Sequence, residues 1–426
     1  MILMLAKRMR HVAIVLVILA STVVPSLAQQ GRSPAQSTPE ATAVTQTASE
    51  PVEWRVENVT PVEIDGIPVT MSPDGAWIAG VNLDRQVCVW DVATMEPTCD
   101  QADRIPVTTD SLVWSPDSTA VAFTEDAFLS AYDSDIYVFE LGASTSVNLT
   151  DDAFKGGMLE AMDNGSALVD TTPVWDLDSQ SIYFMRTDAG AETQTSDLMR
   201  ISRTGGEPEL LDTVADTPFA VYNPMRVLSD GTLLYLVTSL APDAPGDGFW
   251  LRAPDGESRQ VLSVASIPEY PHPVMSDVHE GNGTVRIAGY SASNLARLDP
   301  DAPIAFVFDL ESGEVTPVET DDPDLITWAI TFSPDGETTW SGVFGATVPA
   351  LLREFNGEQR VIELGNGEAT SPSGASRFAS IEWRGENTLF VPAGITRGSF
   401  IVTMTSDTGD TTATPCGCVP PEDPGT

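Results

Sequence analysis

Imidazole and ammonium groups are nearly missing from this chain. Its 426 residues hold three histidines, and lysine occurs only at Lys7 and Lys155. His11 falls in an N-terminal apolar segment, which leaves His272 and His279 for imidazole chemistry. His272 stands between Pro271 and Pro273, with no Ser or Cys in a nucleophile motif beside it, so packing or a channel-mouth position is the expected role. The G-x-S-x-G elbow, H-E-x-x-H, the P-loop and the dinucleotide fingerprint G-x-G-x-x-G are absent. Cysteine is also sparse, at Cys88, Cys99, Cys416 and Cys418; two cysteines with no histidine nearby are too few ligands for zinc. Basic charge is scarce: 21 Lys and Arg stand against 62 Asp and Glu, a formal charge of −41. So acidic a surface argues against nucleic acid and anionic membranes, and favours solubility or cationic partners.

Long apolar runs are missing except at the start. Lys7, Arg8 and Arg10 precede an unbroken apolar run, Val12–Ala20, and Ser26-Leu27-Ala28 fits a small-x-small cleavage site. The segment 1–28 therefore reads as a secretory signal, cleaved to leave Gln29 first. An uncleaved anchor is the rival reading, weakened by Ser21, Thr22 and Pro25 in a stretch barely long enough to span a bilayer. Residues 29–52, rich in Ser, Thr, Gln, Ala and Pro, lack the apolar surface to offset ordering entropy and read as a disordered spacer. Export permits disulfides. Cys88 and Cys99 flank a predicted hairpin turn near Ala93-Thr94, which would let them face each other across two strands. Cys416-Gly417-Cys418 lies in a proline-rich tail, 415–426, and reads as a local bridge, a redox pair or an inert element.

What fills the chain is a repeat. One anchor is an apolar strand, a Pro-Asp or Asp-Gly turn and a second apolar strand: VTMSPDGAWIAGV from Val69, LVWSPDSTAVAF from Leu112, ITFSPDGETTWSGV from Ile330. Weaker copies start at Pro173, Met225, His272 and Ser380. Pro fixes φ at the first corner, Asp accepts local backbone hydrogen bonds, and Gly tolerates positive φ at the exit. The other anchor is a closing hairpin, as in VCVWDVATMEPTC from Val87 and IYVFELGASTSVNL from Ile136, and it recurs seven times. Seven paired anchors, with first anchors spaced roughly 43 to 61 residues apart, predict an all-β, seven-bladed β-propeller over 53–414 with four antiparallel strands per blade. Six blades plus an irregular segment is the rival count. Trp54–Ile64 alternates like a strand and would complete the last blade, whose own fourth strand (Thr411–Thr414) is poor.

These repeats resemble those of TolB-type propellers, and of the propellers of prolyl-oligopeptidase-like enzymes. The resemblance rests on SPDG or SPDS, then an IAG- or VAF-like strand, then IYVFEL…VNLT, and covers roughly 54–414. It implies the propeller but no peptidase, since the chain has no room for a hydrolase domain. Trp90-Asp91 matches the WD dipeptide in a single copy.

For a metal, calcium is the option the composition allows, since it takes six to eight oxygen ligands. Asp133 and Asp135, and Asp321, Asp322 and Asp324, are the candidates; Asp151-Asp152 and Asp176/Asp178 are weaker, and none has EF-hand spacing. A solvated turn is the bland alternative for each. Two insertions, Asp151–Thr172 and Ala241–Gly248, are candidate binding loops. The tryptophans fall mostly in strand anchors and are expected to pack between blades. The expected function is a non-catalytic, monomeric binding scaffold, secreted or in the periplasm or cell envelope, that takes a protein or small ligand at one rim. The alternative is a hydrolase or lyase acting on glycans or lactones at the central channel, with calcium as the cofactor to consider.

Overall fold

The computed structural model describes residues 52–102, 107, 111–125, 134–152, 168–188, 196–213, 221–239, 246–281, 283–297, 302–322, 325–344, 349–365, 381–392 and 399–406. Residues 1–28, nearly all of 29–52, and the tail with Cys416 and Cys418, on which the expected signal, spacer and second cysteine pair fall, lie outside these residues.

Seven four-stranded antiparallel sheets follow one another along the chain. From inside outward, blade 1 is Gly66–Met71, Trp77–Asn82, Val87–Asp91 and Pro97–Cys99. Blade 2 is Val113–Trp114, Ala120–Thr124, Ile136–Glu140 and Val147–Asn148; blade 3 is Leu168–Trp175, Ser181–Asp188, Ser196–Ser202 and Glu209–Thr213. Blade 4 is Val221–Val227, Leu233–Thr238, Gly248–Arg252 and Ser258–Ser263; blade 5 is Pro273–Gly281, Thr284–Ser291, Ala305–Asp309 and Val315–Val318. Blade 6 is Ile326–Phe332, Thr338–Phe344, Ala350–Phe355 and Glu358–Glu363. Blade 7 takes three strands from the C-terminal end, Glu382–Arg384, Thr388–Val391 and Ser399–Ser406, and its outer strand, Trp54–Val62, from the N-terminal end. The ring thus closes as its alternating sequence predicts, with Trp54 opposite Ser406 and Val62 opposite Ser399.

The Ser-Pro-Asp turn works through its serine. Ser72 Oγ donates to Asp74 Oδ1 at 2.6 Å and accepts from Trp77 N at 2.9 Å. Ser115 does the same with Asp117 and Ala120 N, and Ser333 with Asp335 and Thr338 N. Gly75, Gly231 and Gly336 supply the positive φ at the turn exit, but serines hold that conformation at Ser118 (φ 59°) and Ser179 (φ 60°). The cost of left-handed φ in a residue with a Cβ is offset by a contact glycine cannot make. Ser118 Oγ accepts from Asp74 N at 3.1 Å, and Ser179 Oγ from Asp117 N at 3.0 Å, so each serine ties its blade to the one before.

Tryptophans join the early blades in the same way. The Trp114 indole donates to Thr70 O at 3.4 Å and the Trp175 indole to Val113 O at 3.1 Å. Trp90, Trp328 and Trp340 are fully buried, and Trp54 meets Trp383 edge-on at 4.9 Å where the ring closes. Arginine is the other clip. Arg203 of blade 3 reaches back to Glu140, Asp117 and Thr119 of blade 2, and the largely buried Arg353 of blade 6 holds Glu53 at 2.9 Å. Cys88 and Cys99 are opposite in register and joined by a disulfide, which pins the three-residue outer strand of blade 1.

Candidate functional site

In each blade the first strand is innermost, so seven first strands line the central channel. Taken in blade order from the first, one comparable inner-strand position is held by Thr70, Val113, Val174, Arg226, Asp277, Thr331 and Glu382, of which Val113 and Glu382 open their strands. In blades 1, 3, 4, 5 and 6 the strand register shifts immediately before that position, and such bulges re-aim the side chain that follows. The result is a relay around the channel. Arg226 Nη1 donates to Asp277 Oδ1 at 3.3 Å and to Val278 O at 2.9 Å. Asp277 Oδ2 accepts from Thr331 Oγ1 at 2.7 Å and Phe332 N at 3.1 Å. Glu382 accepts from Thr70 Oγ1 at 2.8 Å, Met71 N at 2.9 Å and Arg384 at 2.9 Å. Burial pushes the Glu382 carboxyl up, Arg384 and the two blade 1 donors pull it back, and the charge of Asp277 adds to the upward push. At this level the inner strands of blades 2 and 3 thus carry Val113 and Val174, half-buried and packed on the cores between blades, and those of blades 4 to 7 carry charged or hydroxyl side chains from Arg226 to Glu382.

The two rims differ. Turns joining first to second and third to fourth strands are short, as in 72–76, 115–119 and 253–257. The opposite rim joins second to third strands and each blade to the next, and its strand ends are separated by 100–112, 125–135, 149–167 and 364–381. Both predicted insertions fall on this second rim, but the first is shorter than expected: residues 168–172 of Asp151–Thr172 belong to the inner strand Leu168–Trp175, and Gly248 of the second opens the strand Gly248–Arg252; residues 153–167 and 240–245 lie outside the described residues.

A buried polar network sits on that rim between blades 2 and 3. Glu125, Asp135 and Asp170 are 4%, 1% and 1% exposed. Asn148 Nδ2 donates to Asp135 Oδ2 at 2.7 Å, Thr150 Oγ1 lies 3.3 Å from Asp135 Oδ1, and Tyr137 hydroxyl donates to Glu125 at 3.1 Å. Arg186 grips Asp170 at two points. Burial pushes the Asp170 carboxyl up, and Arg186 opposes it.

Of the calcium candidates, Asp135 belongs to this network, while Asp321 and Asp322 are exposed between blades 5 and 6. Asp133 and Asp324 lie outside the described residues. Asp135 and the pair Asp321 and Asp322 thus stand at different blade junctions. Among the described residues no three of His, Cys, Asp and Glu are arranged to hold a metal ion. Asp176 and Asp178 cap their own turn, receiving Leu177 N and Gln180 N at 2.8 Å each. His272 is exposed and bonds Ser293 at 2.7 Å; His279 is buried against Phe332. The sequence reading passed over Arg226, Asp277 and Glu382. Only Arg226 carried a signal: like Thr70 and Thr331 it stands five residues before the positive-φ glycine of its turn (Gly231, Gly75 and Gly336), whereas Asp277 and Glu382 stand six and three residues before theirs, Gly283 and Gly385.

No protein-family model matches the chain, and no curated protein matches it. Solved structures do. An oligogalacturonate lyase from Vibrio parahaemolyticus is 12% identical with a TM-score of 0.53, over 83% of this chain and 96% of that one. An oligogalacturonate lyase in complex with manganese is 13% identical with a TM-score of 0.51, over 84% and 98%. TolB from Acinetobacter baumannii is 15% identical with a TM-score of 0.40, over 71% and 64%. At such identity the likeness to the two lyases is one of fold. The chain is a seven-bladed β-propeller, the architecture expected from its seven paired repeats.

Proposed function

We propose that this protein is an exported binding propeller that docks a protein partner on its long-connection rim. The asymmetry of the rims carries the reading: short, self-capped turns close one face, and the extra chain length is concentrated on the other. The charged inner-strand groups Asp277 and Glu382 support it, because their carboxylates are spent on joining blades. The apolar run after Lys7, Arg8 and Arg10 and the Cys88–Cys99 bridge fit cleavage after Ala28 and an oxidising compartment, periplasmic or extracellular. No described helix is long and apolar enough to cross a membrane. A monomer with a cationic partner face suits the charge of −41.

The test is a crosslinked capture from the native envelope with Gln29–Thr426 as bait, beside two variants. One replaces 153–167 with a short Gly-Ser linker; the other carries D178N and D255N on the opposite rim. Loss of the partner from the first and retention by the second is the expected result. Equal capture by all three would sink the rim assignment.

A polysaccharide lyase with its site in the channel is the second reading. The fold likeness to oligogalacturonate lyases and the charged inner-strand arc around Arg226 and Asp277 favour it. Formation of unsaturated product from oligogalacturonate, lost in D277N, would establish it over the scaffold reading. The calcium candidates Asp133 and Asp135, and Asp321, Asp322 and Asp324, enter here as a cofactor site. A calcium titration of D135N and D321N with a thermal-unfolding readout tests them.

A further inference from the structure

Among the described charged residues of the arc, the hydrogen-bonding capacity left over is donor capacity, and it sits on Arg226. Asp277 is saturated: besides Thr331 and Phe332 N it accepts from its own neighbour Val278 N at 2.7 Å. Glu382 is likewise filled by Thr70, Met71 N and Arg384. Arg384 is committed through Nε to Met71 O, through Nη1 to Trp383 O and through Nη2 to Glu382. Arg226 differs. Its side chain is 45% exposed, only Nη1 is engaged, and Nε and Nη2 make no hydrogen bond among the described residues. The contact to Asp277 is long at 3.3 Å, and that carboxylate is already met by three other donors. A guanidinium with a free edge matches a carboxylate in a two-point bond. Blade 3 lies next to it, and Val174 at the same level is half-buried, as is Val113 one blade further round.

We propose that the channel is a small-ligand site in which Arg226 grips a carboxylate whose apolar flank lies against Val174 and Val113. A cation is the wrong partner, because the carboxylates of the arc have no oxygen left uncommitted. A neutral molecule would leave the guanidinium edge unused. The site is independent of the rim reading, and either stands if the other fails.

The experiment is calorimetric titration of the whole mature chain with benzoate, benzamide and inorganic phosphate. Benzamide keeps the ring and removes the charge; phosphate keeps an oxyanion and removes the apolar flank. Saturable benzoate binding, with benzamide and phosphate each weaker by about tenfold or more, is the expected result. R226Q should weaken benzoate by about tenfold, R226K by less because it keeps charge without the fork, and R360Q on the exposed edge of blade 6 should leave it unchanged. Circular dichroism reports whether R226Q folds, and the comparison of ligands on the natural chain decides the matter without it. Phosphate binding tighter than benzoate would overturn the carboxylate and its apolar flank. Absence of saturable benzoate binding, or equal binding by folded R226Q, would overturn the site.

Discussion

Asp170 and Arg186 form a two-point ion pair across adjacent strands of blade 3, with Arg186 Nε on Oδ1 and Nη2 on Oδ2, each at 2.7 Å. Asp170 is 1% exposed and the Arg186 side chain 15%. Ser134 Oγ donates to Asp170 O at 3.0 Å, so the pair also anchors the approach to blade 2. Removing one partner strands the other charge in the interior, which costs about 3–5 kcal/mol, whereas replacing both by apolar groups is close to neutral. R186L alone should therefore lose about 3 kcal/mol or more in urea unfolding, and D170L/R186L should recover most of it. A double variant no more stable than R186L would show that the network needs the ions themselves.

The disulfide makes a second prediction. Cys88 and Cys99 are 11 residues apart in sequence and close a short hairpin. By loop-closure entropy such a link stabilises the fold by about 3 kcal/mol. C88A/C99A should lose up to that amount, and hydrogen exchange should rise first at Pro97–Cys99, the short outer strand. Unchanged exchange there would show that neighbouring contacts hold the strand without the bridge.

How much of this was legible in the sequence depends on whether a feature is local. The turn that begins at Ser72 declares itself in a few residues, because Pro73, Asp74 and Gly75 each fit one corner position. Ring closure was legible too, since Trp54–Ile64 alternates and Thr411–Thr414 does not. Arg226, Asp277 and Glu382 were not. Among 62 acidic residues a carboxylate carries no signal until the repeat is aligned and bulges set its direction. The aspartate groups at 133–135 and 321–324 looked alike in sequence because both are loop-rich and acidic. Folding sends Asp135 into a buried network and leaves Asp321 and Asp322 in solvent, a difference that rests on which blades meet.

The serines at positive φ give a test with an ordering. At Ser179 the backbone favours glycine, but the hydroxyl accepts Asp117 N from the preceding blade. S179G loses that bond and relaxes the backbone; S179A loses the bond and keeps the strain. Alanine should therefore destabilise by about 1–2 kcal/mol and glycine by less. Alanine no worse than glycine would show that the left-handed conformation is not strained here.

The pH profile of stability follows from His279 and Asp117. Burial, and then the Arg286 guanidinium, holds His279 below the usual imidazole value, and its ring is walled in by Phe332 and by Gly281 and Gly336, where an added Cβ would fall within 2.5 Å of Nε2. Asp277 and Asp335 pull the other way and lose to burial. Because the unfolded chain then binds a proton more readily, stability rises with pH across the gap. The contribution is complete above about pH 6.5 and is lost as pH falls from there through the lower folded value. Asp117 acts further down. Burial opposes its ionisation, but Ser115, Thr119 and Arg203 outweigh it and hold the carboxyl at about 2. Its contribution is present above about pH 4 and is lost as pH falls toward 2. Urea midpoints from pH 8 to pH 2 should therefore fall in two steps. H279Q should remove the upper step, and D117N should shrink the lower one, to which Glu53 and Asp309, also held below the usual carboxylate value by their hydrogen bonds, contribute as well. A single step unaffected by H279Q would mean that the carboxylates alone set acid stability.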